Sequence, residues 1–163
     1  MDKKKLIRRC IILAAAVYLL LSWRGIFYYF TDFVDKEYFG EQYAELLRPC
    51  LISDRIRLRD ITAKIDEAFS CVEYDSYEDA VPRFGEELAW RTQHRPETVS
   101  EWHTLTVITG HISGDNAVLW IKYSDEGYDI DGNLTHGSWD ILTRFTAEKQ
   151  NGEWVVTDSK EHP

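Results

Sequence analysis

Residues 10–23, CIILAAAVYLLLSW, run for fourteen positions without a charge, directly behind Lys3, Lys4, Lys5, Arg8 and Arg9. So apolar a run has to be taken out of water by protein or by lipid. As a helix it is about 21 Å long, short of a bilayer core of about 30 Å. Continuing through Gly25, Ile26, Phe27, Tyr28, Tyr29 and Phe30 gives 21 residues with Arg24 as the only charge, or about 31 Å. An arginine near the outer end can reach the headgroups along its own stem. Trp23, Tyr28 and Tyr29 suit the interfacial aromatic belt. Residues 10–30 therefore read as a transmembrane anchor that meets membrane lipid along its length.

Three other fates fit less well. A cleaved signal peptide needs small residues at the cut, but the run Ala14-Ala15-Ala16 lies inside the apolar stretch and Ser22-Trp23-Arg24 is a poor site. A lipoprotein needs its cysteine after the apolar run, whereas Cys10 opens it. A buried core helix would not follow five basic residues in nine. The excess of positive charge then sets residues 1–9 as a cytoplasmic basic tail and residues 31–163 as an extracytoplasmic domain, a single-pass protein of the cell membrane.

Beyond the anchor, thirteen basic side chains face twenty-seven acidic ones. A body that acidic repels polyphosphate, so nucleic acid is not expected as a partner. A hydrophobic content of 44% with six tryptophans is ample for a packed core.

Residues 31–48 have helical spacing in Phe33, Phe39, Tyr43, Leu46 and Leu47, with Thr31 or Asp32 as cap, a flexible point at Gly40 and Pro49 as terminator. A second helix is expected from Asp60, with Ile61, Ile65, Ala68, Phe69 and Val72 on one stripe. Residues 73–79 read as loop. A short third helix is expected from Pro82, in its first turn, through Phe84, Leu88 and Trp90. After residue 102 the period becomes two. Strands are expected at 103–112, 116–124, 134–147 and 153–160, joined by turns at Ser113-Gly114-Asp115, Asp131-Gly132 and Asn151-Gly152. Helices followed by an antiparallel meander spell α+β: an N-terminal transmembrane helix, then helices packed on one face of a curved antiparallel sheet of about four strands.

Gly114-Asp115, Gly132, Phe145 and Asn151-Gly152-Glu153-Trp154 punctuate 114–126 and 131–160 in a pattern that resembles the closing strands of the nuclear transport factor 2-like superfamily, which includes the SnoaL-like polyketide cyclases. The resemblance is strong over about 60 residues of the C-terminal half. It implies a cone-shaped α+β domain with a cavity between sheet and helices. Some members are isomerases, dehydratases or cyclases that use Asp, His or Tyr in the cavity, and others are partner-binding domains behind a membrane anchor, so fold alone does not assign activity.

Parity tests each strand for such a group. In 134–147 the odd face, Trp139, Ile141, Thr143, Phe145 and Ala147, is apolar. Its even face, His136, Ser138, Asp140 and Arg144, is expected to look at solvent or a partner. Strand 116–124 is apolar on both faces, Val118 and Trp120 on one and Ala117, Leu119, Ile121 and Tyr123 on the other. Something must cover the second face, either another subunit or the chain's own helix. Strand 103–112 carries His103 and His111 in one parity set, as weak candidate catalytic bases near its ends. Tyr123 and Asp140 are the candidate ligand-binding residues.

Asp129-Ile130-Asp131-Gly132-Asn133 has the start of a calcium loop with Asp140 twelfth, but its sixth position is Leu134 where glycine is required, so a hairpin turn explains it and no metal is expected. No phosphate loop, nucleophile elbow or zinc spacing occurs, and no cofactor is expected. Cys50 and Cys71 can form a disulfide in an oxidising exterior, worth about 3 kcal/mol, or stand as two separate buried thiols. The expectation is a non-catalytic module that binds a protein partner or its own copy. The alternative is a small-molecule-binding, isomerase- or cyclase-like site inside the cone.

Overall fold

The computed structural model describes residues 3–70, 74–92 and 95–162. Helix α1 (Lys3–Thr31) carries the apolar run. It is long and apolar enough to cross a membrane. Leu6, Ile7, Ile11, Ile12, Leu13, Val17, Leu19, Leu20 and Trp23 stand exposed on it, so this is not the buried helix of a water-soluble core.

Asp32 breaks the helix: its extended backbone and its carboxylate, which accepts from the Asp35 amide at 3.0 Å, start α2 (Phe33–Phe39). A 3-10 segment follows (Gly40–Leu47), and Arg48 turns extended ahead of Pro49. Helix α3 (Ile52–Ser70) begins eight residues before the expected cap at Asp60, which is an interior residue. Ser76, not Pro82, opens the next helix, α4 (Tyr77–Phe84): its hydroxyl accepts from the Asp79 amide at 3.2 Å and donates to the Asp79 carboxylate at 2.7 Å. Pro82 lies inside α4, and α5 (Glu86–Ala89) follows Gly85.

The four strands are β1 (Ser100–Ser113), β2 (Asn116–Tyr128), β3 (Leu134–Gln150) and β4 (Glu153–Glu161), paired in sequence order as an antiparallel meander. The fold is α+β, as the change of period predicts. Positive φ at Asn151 and Gly152 closes the last hairpin without strain on the glycine.

Two cores share this sheet. On the inner face, Ala117, Leu119, Ile121, Tyr123, Phe145, Ala147 and Val156 pack against Leu58, Ile61 and Ile65 of α3 and Phe84 and Leu88 of α4 and α5. On the outer face, Trp120, Leu142 and Ile108 pack against Phe39, Tyr43 and Leu46 of the chain's own N-terminal segment, with Tyr28 and Tyr29 of α1 alongside. The second apolar face of β2 is thus covered from within the chain.

Register breaks decide which side chains enter which core. Tyr123 pairs with Ile141, yet Asp125 pairs with Ser138, so Ser124 faces two residues, and Asp140 there has a φ of 60°. Below this bulge the parity of β3 reverses. His136 and Ser138, expected on the outer face, take the inner one. A second bulge between Val107 and Thr109 divides β1: His103 pairs with Asp125 on the inner side, whereas His111 pairs with Val118 on the outer. The two histidines of one expected parity set lie on opposite faces.

Candidate functional site

The sheet has two unlike ends. At one, Leu58 of α3 approaches Gly110, and Arg48 bonds His111. At the other, Asp66 bonds His103, and β1, β2, β3 and β4 open around a polar pocket of about 190 Å³. This mouth is lined by Glu101, Tyr123, Asp125, His136 and Ser138 of the sheet, Glu161 at the end of β4, and Phe69, Trp90 and Arg91 from the helical layer.

Its fixed element is a half-buried carboxylate. Glu161 Oε2 accepts from Arg91 Nη2 at 2.8 Å, Tyr123 Oη at 3.1 Å and Thr143 Oγ1 at 3.1 Å. The Arg91 side chain is 6% exposed. Its guanidinium lies over Trp90 at 4.1 Å and Phe69 at 4.4 Å, which locks the fork in place. Burial pushes the Tyr123 phenol above its ordinary value, partly offset by the charge of Arg91. The phenol therefore stays protonated and acts as a donor.

Two buried polar atoms here have no hydrogen-bond partner among the described residues, Arg91 Nε and Asp125 Oδ1. A buried donor and a buried acceptor left open on one pocket are costly unless a solute or water completes them. His136 adds a titratable ring, with Nε2 3.8 Å from Glu101 Oε1, an ion pair when protonated and longer than a hydrogen bond. The arrangement can hold a small solute bearing both a donor and an acceptor.

Of the expected site residues, only Tyr123 lines this mouth. His103 is inner but turned to α3, with Nε2 2.9 Å from Asp66 Oδ1. His111, outer, accepts from Arg48 Nη1 at 3.0 Å, and burial followed by the charge of Arg48 holds its pKa below the ordinary value. Asp140 projects from the bulge, exposed, and pairs with Lys122 at 2.9 Å. The Asp129 carboxylate accepts from the amides of Asp131 and Asn133 and from the Asn133 side chain, so it ties a hairpin turn. Cys50 is a buried free thiol against α3, and Cys71, its expected partner, lies outside the described residues.

Asp125, Arg91, Glu161 and Glu101 are not among the residues the sequence singles out, and His136 is singled out there only for the opposite face. Asp125 was within reach: it continues the parity set Leu119, Ile121, Tyr123 by one step, past the expected strand end at 124. Arg91 and Glu161 had no such signal. The outer face has its own polar network. Glu45 accepts twice from Arg144, at 2.9 and 3.0 Å, and from Trp120 Nε1 at 3.1 Å. Burial pushes the Glu45 carboxyl up, but these bonds outweigh it and hold the carboxyl below its ordinary value. Arg144, expected to face solvent, is 8% exposed. This network joins cover to sheet. No protein-family model matches this chain, and neither does any curated protein.

Proposed function

We propose that the chain is a membrane-tethered domain that binds a small polar molecule at the mouth of its cone, on the side away from the tether. The observation that carries the binding reading is the open pair Arg91 Nε and Asp125 Oδ1 on one pocket. The tether rests on the exposed apolar surface of α1, which lipid would cover. The basic tail before it favours a cytoplasmic N-terminus and an extracytoplasmic domain.

The span is shorter than the sequence suggests. Ser22 and Gly25 are buried against the domain, Arg24 Nη1 donates to the Val107 carbonyl at 3.2 Å, and Tyr28 accepts through its carbonyl from Tyr43 Oη at 3.1 Å. What is left for lipid is Leu6 to Leu21, sixteen residues or about 24 Å, short of a full bilayer core, with Arg8 and Arg9 near its inner end reaching back to the headgroups along their stems. The nuclear transport factor 2-like resemblance is part of this proposal, supported only by the antiparallel meander with helices on its inner face.

A ligand-observed NMR screen of amino acids, amines and carboxylates against the full chain in detergent tests the reading. Hits should compete with one another and disappear with Asp125→Ala and with Ser138→Leu, which fills the pocket. Hits that persist in both variants overturn it. A partner-binding module is the second reading, favoured by Val99, Trp102, Ile130 and Leu134, all exposed around the hairpin beside the mouth. Crosslinking in intact cells from position 130 to a defined protein would support it.

A further inference from the structure

Helix α3 has two apolar stripes, and only one faces the core. Leu58, Ile61 and Ile65 are buried, while Ile52 is 68% and Ile56 64% exposed, with Leu51 beside them at 47%. Ile52 and Ile56 are one turn apart on the opposite side, and Arg55 and Arg59 flank them at helical spacing. Residues 48–59 hold Arg48, Arg55, Arg57 and Arg59 against Asp54 alone, in a domain otherwise strongly acidic.

The loop that leads into this stripe lies next to α1. Leu51 and Pro49 share an apolar groove with Cys10, Leu13, Ala14, Val17 and Leu21, and Tyr18 Oη donates to the Leu47 carbonyl at 2.7 Å. The loop before α3 therefore lies alongside the part of α1 that the tethered reading gives to lipid. Around the corner, a crevice of about 620 Å³ opens between α3 and β1. Arg24, Arg55 and Arg59 line it over a floor of Leu58, Leu105 and Val107, with one carboxylate, Asp66, which is taken up by His103 at 2.9 Å.

Resting on the tethered reading, we propose that the loop before α3 and the first turns of α3 are a second membrane contact: Leu51, Ile52 and Ile56 enter the outer leaflet beside the anchor, and Arg24, Arg55 and Arg59 hold the phosphates of anionic lipids in the crevice. Apolar residues flanked by arginines on one helical face are what an interfacial helix requires. The charge of this face complements an anionic surface that the rest of the domain repels. The arginine stems lie along the apolar floor while their guanidinium groups reach the headgroups.

The test places photocrosslinking benzoylphenylalanine singly at positions 13, 52, 56 and 131 of the full chain, reconstituted in vesicles of phosphatidylcholine with or without phosphatidylglycerol. Position 131 is in the hairpin at the far end of the sheet. Lipid adducts at 52 and 56 should exceed those at 131 several-fold and approach those at 13. They should rise with phosphatidylglycerol and fall in the Arg55→Glu, Arg59→Glu double variant. Adducts at 13 with none above background at 52 and 56 overturn this contact and leave the tether intact. No adducts at 13 either overturn the tether itself. Adducts from 52 and 56 to protein rather than lipid also overturn the proposal. The unsubstituted arginines carry the main comparison, so it stands even where the double variant fails to fold.

Discussion

The inner and outer faces of this sheet bury side chains of the same kind in opposite ways. The inner face is covered by helices that arrive after α1, α3 to α5, and narrows to a polar mouth with open hydrogen-bonding atoms. The outer face is covered by residues 28–46, and there the half-buried Glu45 carboxylate is held by Arg144 and Trp120. A doubly apolar strand is thus not by itself a sign of a partner. The chain's own approach from α1 fills the site that a second subunit would have taken.

Large truncations test whether both faces are true cores. Trp120→Ala on the outer face and Phe145→Ala on the inner, both fully buried, should each cost about 3–5 kcal/mol by denaturant unfolding of the full chain in detergent. A loss under about 1 kcal/mol at Trp120 alone would mean that the outer cover is loosely held. Arg144→Ala follows, at about 3 kcal/mol, because Glu45 is left buried without its cation. Replacing both, Glu45→Leu with Arg144→Met, should recover most of that loss.

Gly25→Ala is expected to cost about 1–3 kcal/mol, since its new Cβ would meet the Leu46 carbonyl oxygen at 1.9 Å. It should also raise protease sensitivity of residues 32–47, a readout that Phe145→Ala shares only through global unfolding.

The smallest effects are in pH. Burial, reinforced by the neighbouring Asp32, pushes the Asp35 carboxyl up to about 7. The folded state therefore binds the extra proton, and this contribution is present at low pH and lost as pH rises through about 7. Asp35→Asn should remove that decline and leave the variant the more stable at pH 8. His111 has the opposite sign: its pKa is lowered, so its contribution is present above the ordinary value of 6.5 and lost as pH falls below it. His111→Asn should flatten the acid side. Both groups lie on the outer side of the sheet, Asp35 in its cover and His111 on β1, so unfolding midpoints across pH 4–8 should respond there and not at Tyr123.

Much of the fold was legible. The four strands begin and end within four residues of the alternating runs, because a half-buried strand writes its face into every second residue. Phe39, Tyr43 and Leu46 were legible as one apolar stripe, though not the surface it covers. The bulge at Asp140 was not, since no glycine marks it, and one extra residue reversed the parity of His136 and Ser138. The start of α3 was hidden for a different reason. Ile52 and Ile56 are out of phase with Leu58, Ile61 and Ile65, and two interleaved stripes blur a single helical period. The mouth needed residues from six separate elements, a juxtaposition that no local pattern encodes.

The close approach at Gly25 has a mechanical consequence. Ser22, Gly25 and Tyr29 lie three and four positions apart, so the docked stripe follows the axis of α1 itself, and the chain break at Asp32 comes only after the joint. The helix has no swivel between its free length and the sheet. A turn about its axis by one residue's worth, about 100°, must carry the whole cone with it, so the rotational setting of α1 aims the mouth.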